Sequence, residues 1–244
     1  MWNSALRSLP IFRDVWVPPF PNDFGSAIGG AALAMIQHAG FQPIEWHARL
    51  GPALPSTTRM KDGWSAVECT PAQLARLLHE SGEPVIVFHG RAELGPRALG
   101  GRSILAAPTS VGMKDRLNQI KGREPHRPFA PICLVDEAPA IFAPGTPDPY
   151  MLFDHDVRAE WVSRIPAVTR LDGIARLQTV CQGDDPFLAA VLAEYHWLSG
   201  VPALCNTSAN LNGRGFFPNV ESAMAWGEVD RIWGEGVLYQ RVHD

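Results

Sequence analysis

The stretch from Thr70 to Phe88, TPAQLARLLHESGEPVIVF, constrains the fold more than any other part of the chain. Thr70 is placed to cap a helix whose first position is Pro71, and Gly82 is placed to end it. Between them Ala72, Leu74, Ala75, Leu77 and Leu78 form one apolar face at helical spacing. The unbroken run Val85-Ile86-Val87-Phe88 then reads as a buried strand. A capped amphipathic helix leading directly into a buried strand predicts an α/β layered domain.

The same alternation recurs downstream. Strands are expected at Ser103–Ala107, Phe129–Val135, Val168–Leu171, Pro202–Asn206 and Gly236–Gln240. Helices are expected at Val111–Gly122, at Asp185–Gly200 (Asp185 as cap, Pro186 inside, Gly200 behind) and at Asn219–Val229. The α/β domain therefore runs over residues 63–244. Residues 1–62 are expected to be a smaller appendage: a helix from Ser26 to Gln37, rich in small residues and ended by Gly40, then a Pro, Gly and Ser-Thr rich linker from Gln42 to Trp64.

With 46% hydrophobic and 19% charged residues, the chain has enough apolar material for a sizeable core. The formal charge of -4 gives the surface as a whole no attraction for polyanions, although a local basic groove remains compatible with it. Cys69, Cys133, Cys181 and Cys205 lack paired spacing and read as reduced core residues of a cytoplasmic protein. The first residues have neither a basic start nor an unbroken apolar segment, and no run approaches the roughly 18 apolar residues of a membrane span.

Three clusters carry candidate chemistry. In FHGRAELGPRALGGRSILAAP, the arginines Arg91, Arg97 and Arg102 stand in a glycine-rich turn after the buried strand. Guanidinium forks with accessible backbone suit an oxyanion, and the alternative is a surface loop whose arginines pair with Glu93, Asp115 or Glu124. In MKDRLNQIKGREPHRPFAPICLV, Lys121, Arg123 and Arg127 lie beyond a helix end on a path fixed by Pro125, Pro128 and Pro131. They suit a ligand site, or they answer the helix dipole. In PALCNTSANLNGRG, Asn206, Thr207, Ser208 and Asn210 offer amide and hydroxyl groups to phosphate or ribose oxygens, or form a self-contained polar turn. His89 reads as structural. Asp154-His155-Asp156 reads as a solvated turn, since neighbours on an extended chain cannot all face one ion. The tryptophans read as core or interface.

GRAELGPRALGGRSILAAP, IKGREPHRPFAPICL, DGIARLQTV and GVPALCNTSANLNGRG, in this order, resemble the C-terminal half of O-carbamoyltransferases of the nodulation and antibiotic-tailoring type. The resemblance implies a YrdC-like twisted mixed sheet with flanking helices. The preceding VWVPPFPNDFGSAIGGAALAM resembles the closing strand and helix of that family's actin-type domain. Two positions depart from the family pattern: Arg170 and Ile174 stand where it has His and Thr.

What the resemblance implies is an ATP-dependent reaction. Carbamoyl phosphate loses its phosphate, and the carbamate attacks the α-phosphate of ATP to give carbamoyladenylate and pyrophosphate, with Mg2+ carried by the nucleotide. The actin-type half then passes the carbamoyl group to an acceptor hydroxyl. Lys121 and Arg127 fall on family positions that grip carbamoyl phosphate and the nucleotide phosphates, Arg176, Asn206 and Ser208 on the remaining phosphate-site positions, and Arg97 in the same signature. Lys121, Arg127 and Arg176 are the expected catalytic residues, and Arg91, Arg102, Arg123 and Asn210 of the clusters above are expected to join Arg97, Asn206 and Ser208 in binding substrate or nucleotide. Asp23 matches a ligand of Fe or another divalent metal, in a site needing a second protein chain to complete it. The acceptor is expected to be a small-molecule hydroxyl, or less favourably a hydroxymethylated base in nucleic acid. Two rival readings are a stand-alone YrdC-like threonylcarbamoyl-AMP synthase and a non-catalytic nucleotide-binding regulatory or scaffold subunit.

Overall fold

In the computed structural model, which describes residues 2–21, 23–43, 47–57, 59–211 and 214–242, two helices lead the chain: α1 (Trp2–Arg7) and α2 (Asp23–Ala39). The layered part opens with β1 (Trp64–Glu68), α3 (Pro71–Ser81), β2 (Val85–Phe88) and β3 (Arg102–Ala106). The capping residues act as their positions require. Thr70 Oγ1 accepts from the Gln73 amide while Gln73 Oε1 accepts from the Thr70 amide, and Gly82 at φ 62° stops the helix.

The chain continues through α4 (Val111–Ile120), β4 (Ala130–Leu134), α5 (Ala138–Ile141), β5 (Phe142–Ala143), β6 (His155–Val157), α6 (Ala159–Val162), β7 (Ile174–Ala175) and β8 (Gln178–Val180). It closes with α7 (Pro186–Ser199), β9 (Ala203–Ser208), α8 (Val220–Trp226), β10 (Arg231–Gly234) and β11 (Val237–Arg241). Eight strands make one sheet in the order β1-β11-β10-β2-β3-β9-β4-β8. It is mixed: β10–β2 and β4–β8 run parallel and the remaining pairs antiparallel. β5, β6 and β7 form a separate small sheet. The expected α/β class with a mixed sheet and flanking helices is thus the observed one.

All four residues of β2 are buried, which is why its sequence is apolar without alternation. α3 packs on α7, with Leu74 and Leu78 of one and Leu188, Val191, Leu192 and Tyr195 of the other all buried. Asp185 caps α7 by accepting from the Leu188 amide, and Gly200 at φ 65° ends it.

Several expectations need correction. Val168–Leu171 is not a strand: Leu171 is 97% exposed, and the segment leads into a turn through Asp172 and Gly173 that β7 follows. The segment assigned to a linker is built into the body. Gly51 donates to Ala92 O, Ala92 to Pro52 O and Leu94 to Ala48 O, and Arg49 pairs with Asp185 at 2.6 Å. Gly51 is required there, because a Cβ would meet the Ala92 carbonyl oxygen at 2.7 Å. Residues 44–46 and 58 of that stretch lie outside the described residues. His155 is no solvated turn residue: it is fully buried, with Nε2 3.5 Å from the buried Asp148 carboxylate. Cys181 is exposed where a core residue was expected, whereas Cys69, Cys133 and Cys205 are buried. Val15–Pro21 forms no strand, as befits a segment whose prolines at 18, 19 and 21 have no amide hydrogen to donate.

The helix expected from Ser26 spans α2, and Gly40 ends it at φ 73°. Small residues let a helix lie tightly on a neighbour, yet no α2 residue is buried. Gly25, Ile28, Ala32 and Met35 form a half-buried stripe, and Ile28 packs on a small cluster of Phe20, Ala48, Leu99 and Met151. Phe24, Leu33 and Ile36 are exposed. Among the described residues no helix is long and apolar enough to cross a membrane.

The α3–α7 layer holds the core. Leu78→Ala leaves a cavity among fully buried neighbours and is expected to cost about 3 kcal/mol, read as a lower midpoint in urea with an unchanged slope.

Candidate anion-binding site

Three chain segments far apart in sequence meet at one end of β9. The β2–β3 loop supplies Arg97, the turn after α4 supplies Arg123, the β7–β8 connection supplies Arg176, and β9 supplies Asn206 and Ser208. All five line one cleft, together with Met151 and Phe129. None of its described lining residues is acidic.

The guanidiniums feel one another. That of Arg176 is held below the usual arginine range by burial, and then by the charges of Arg97 and Arg170. Burial likewise lowers Arg123, followed by Arg127 and Arg176. A guanidinium stays charged in a protein, so this mutual repulsion is relieved by a bound anion.

Arg123 is held by a specific brace. Arg123 Nε donates to Asn118 Oδ1 at 3.1 Å, and its guanidinium lies 4.5 Å from the centre of the Phe129 ring. Asn118 is itself buried, and its Nδ2 donates to Pro125 O and Arg127 O, both at 3.0 Å. One amide thereby fixes the turn that carries Arg123. Sequence reading missed Asn118; the signal was a polar residue on the face of α4 shared with the buried Leu117 and Ile120.

The glycine-rich β2–β3 loop does hold an oxyanion with its backbone, but the oxyanion is its own. Glu93 Oε1 accepts from the amides of Leu99 at 2.6 Å, Gly101 at 2.8 Å and Arg102 at 3.2 Å. Of the three arginines expected there, only Arg97 lines the cleft. Arg102 is buried and donates to the carbonyls of Gly90, Gly101 and Pro52. Arg91 donates to Leu50 O. Both brace the chain around residues 50–52 and do not face the cleft.

Lys121 also stands behind the wall. Its Nζ donates to Ser208 O at 2.7 Å, to Asn210 O at 3.1 Å and to Asn210 Oδ1, tying the end of α4 to the exit of β9. Burial, with Arg123 adding, brings its ammonium down to about 8. Arg127 is exposed and paired with Glu124 at 3.2 Å, outside the cleft lining. Asp23 is exposed in the first turn of α2, and no group of three His, Cys, Asp or Glu side chains suited to a metal occurs among the described residues. The divalent metal implied by the resemblance therefore does not fit the described residues alone.

His89 stays structural. Its ring lies on Phe187 at 4.3 Å, with Asp185 and Glu235 nearby, and burial lowers its pKa despite both carboxylates. A larger cavity of about 450 Å³, lined by residues including Arg49, Tyr150, Gln178 and Asp185, backs onto the cleft. Leu99 lines the cavity and Ala98 the cleft, and Gln178 of the cavity accepts a hydrogen bond from Asn206 of the cleft.

The chain is thus a mixed-sheet α/β protein that brings three guanidiniums to one cleft with no acidic residue among its described lining. Residues 75–238 match the carbamoyltransferase C-terminus family and residues 1–33 the carbamoyltransferase N-terminus family, so the chain belongs to the carbamoyltransferases. It is 58% identical to nodulation protein U of Rhizobium tropici over 98% of its own length and 41% of that protein. It is 38% identical to the 3'-hydroxymethylcephem-O-carbamoyltransferase of Streptomyces clavuligerus, over 99% of this chain and 46% of that one. The chain thus spans less than half the length of these relatives. Among solved structures, full-length HypF in its phosphate- and nucleotide-bound form is similar with a TM-score of 0.48 and 16% identity, over 73% of this chain and 22% of HypF.

Two outcomes follow. Glu93→Ala strands three buried amides and is expected to cost at least about 2 kcal/mol in urea unfolding. Lys121 holds its proton less tightly folded, near 8, than unfolded, near 10.5. Its contribution to stability therefore rises with pH across that window, and Lys121→Met is expected to flatten the rise between pH 8 and 10.

Proposed function

We propose that this chain binds carbamoyl phosphate and ATP at the Arg97–Arg123–Arg176 cleft and forms carbamoyladenylate for transfer to an acceptor hydroxyl. The observation that carries this reading is the convergence of three mutually repelling guanidiniums in a cleft without lining carboxylates. Phosphoryl and adenylyl chemistry is driven mainly by charge neutralisation and positioning, which such a cleft supplies.

In this reading water cleaves carbamoyl phosphate to carbamate and inorganic phosphate. A carbamate oxygen then attacks the α-phosphorus of ATP, the α–β bridging bond breaks, and pyrophosphate leaves with the charge formed on it. Arg97, Arg123 and Arg176 hold the phosphate oxygens through both steps. Mg2+ bound to the nucleotide would supply further neutralisation of the charge on the pyrophosphate. Arg127, exposed at the turn beside the cleft, adds positive potential, and Lys121 fixes the turn of Ser208 and Asn210.

The acceptor-binding half belongs, in the same reading, to further protein that covers α2. The open apolar face with Phe24, Leu33 and Ile36 supports this. Asp23, at the start of that helix, would join a divalent metal only with ligands from the covering protein. The acceptor is an alcohol, in keeping with the hydroxymethyl group in the name of the Streptomyces clavuligerus relative.

The test is pyrophosphate release from MgATP by the purified chain. Release is expected to depend on carbamoyl phosphate, and Arg176→Ala is expected to lower kcat/KM by about a hundredfold or more. Release that requires threonine and bicarbonate instead would assign the chain to threonylcarbamoyl-AMP synthesis. Tight nucleotide binding with no turnover, even beside the covering protein, would make it a regulatory subunit.

A further inference from the structure

Asn206 does not suit the phosphate role that its place among the arginines suggests. It is 2% exposed on β9, it lines the cleft, and both protons of its amide are committed. Nδ2 donates to Ala98 O at 2.9 Å and to Gln178 Oε1 at 2.6 Å. The orientation of the amide is therefore fixed. A rotated amide would set its oxygen against the Ala98 carbonyl, a backbone acceptor that cannot turn away. What the amide has left is Oδ1, buried and without a hydrogen-bond partner among the described residues.

An amide oxygen repels a phosphate oxygen and accepts from an N–H or O–H group. A buried acceptor left unmade is costly, and a site organised around one rejects a ligand that brings no donor. Everything else that defines the cleft's charge is cationic: Arg97, Arg123 and Arg176. The cleft wall thus combines positive charge for oxyanions with one buried acceptor whose orientation is fixed and whose bond is unmade. A ligand that matches it carries a phosphate at one end and an N–H donor a few bonds away. The carbamoyl group of carbamoyl phosphate has that form. Acetyl phosphate matches it in shape and charge, with a methyl group where the –NH2 stands.

We propose that Asn206 Oδ1 is the specificity determinant that accepts a hydrogen bond from the carbamoyl –NH2, with Ala98 O and Gln178 Oε1 holding it in the accepting orientation. The inference rests on reading the cleft as the carbamoyl phosphate site. It assigns Asn206 to selecting the acyl group and leaves the phosphate to the arginines. Gln178 becomes a positioning residue that acts through Asn206, reaching it from the neighbouring cavity.

Calorimetric titration of the wild-type chain with inorganic phosphate, acetyl phosphate and carbamoyl phosphate separates the possibilities. The wild type is expected to bind carbamoyl phosphate at least about tenfold more tightly than acetyl phosphate. Asn206→Ala is expected to remove that preference while inorganic phosphate binds within about threefold of wild type. Asn206→Ser, whose oxygen falls one bond short of the amide's, is expected to behave like the alanine variant and serves if that variant does not fold. An equal loss of all three ligands would make Asn206 a phosphate contact and overturn the proposal. So would an unchanged preference in both variants, or equal binding of the two acyl phosphates by wild type. In that last case the reading of the cleft as a phosphate site stands while the role of Asn206 falls. Failure of the wild type to bind any of the three removes both.

Discussion

Repulsion among three guanidinium groups is the constraint around which this chain is arranged. Arg97, Arg123 and Arg176 come from segments 26 to 79 residues apart in the numbering; beyond the effect of burial, the charge of Arg97 lowers Arg176's affinity for a proton and that of Arg176 lowers Arg123's. Left on flexible loops they would swing apart into water, where screening is strong. The fold limits this by giving two of them a rigid base. Asn118 and Phe129 hold Arg123 from two sides, and the Glu93 carboxylate gathers three amides so that the loop carrying Arg97 has one shape. Lys121 then joins the end of α4 to the exit of β9, so that two walls of the cleft are tied together. Electrostatic cost at the site is thus met by hydrogen bonds just behind it.

This arrangement explains what the sequence made legible and what it left hidden. Helix α3 and strand β2 were readable because their signals are local: a cap, a stop glycine and an apolar run, each acting within a few residues. The three cationic or polar clusters were readable as chemistry because guanidinium, glycine and amide groups are concentrated in them. Which member of each cluster faces the ligand was not readable. Arg91, Arg97 and Arg102 stand in one short loop, yet Arg102 faces inward to carbonyls contributed partly by Pro52, a residue assigned to a linker. That distinction depends on chain 50 residues away and on a glycine, Gly51, whose need is set by the Ala92 carbonyl. β8 and β10 escaped for a related reason. β8 (QTV) and β10 (RIWG) lack the unbroken apolar run that made the equally short β2 readable, and their pairing partners β4 and β2 decide them.

The same logic applies to Glu93, the least conspicuous charge in the loop. Beside three arginines its expected partner is a guanidinium, because opposite charges attract over longer range than dipoles do. In the folded chain it instead accepts from three backbone amides. Buried amides have no other partner once the loop closes, whereas an arginine at the cleft edge retains water or a ligand. Satisfying the backbone first leaves Arg97 available, and the glycine at position 101 lets the turn close onto the carboxylate with the Arg91 carbonyl only 2.6 Å from where a Cβ would stand.

Met151 shows how the leading helix and the cleft come to share structure. It adopts φ 58°, a conformation that disfavours a side chain, and the Asp148 carboxylate holds the turn there by accepting from the amides of Leu152 and Phe153, each at 2.8 Å. In that position Met151 lines the cleft and also belongs to the cluster of Phe20, Ala48 and Leu99 on which Ile28 of α2 packs. A displacement of α2 therefore acts on a cluster to which a residue of the cleft wall belongs. A flexible thioether suits such a post, since it can keep contact with both neighbours as their spacing changes. The strained backbone beneath it suits the post as well: two buried hydrogen bonds to one carboxylate fix where the side chain begins, so that only its far end adapts. The helix that looked like an appendage is consequently joined to the site through this small apolar cluster, to which Met151 of the cleft wall belongs.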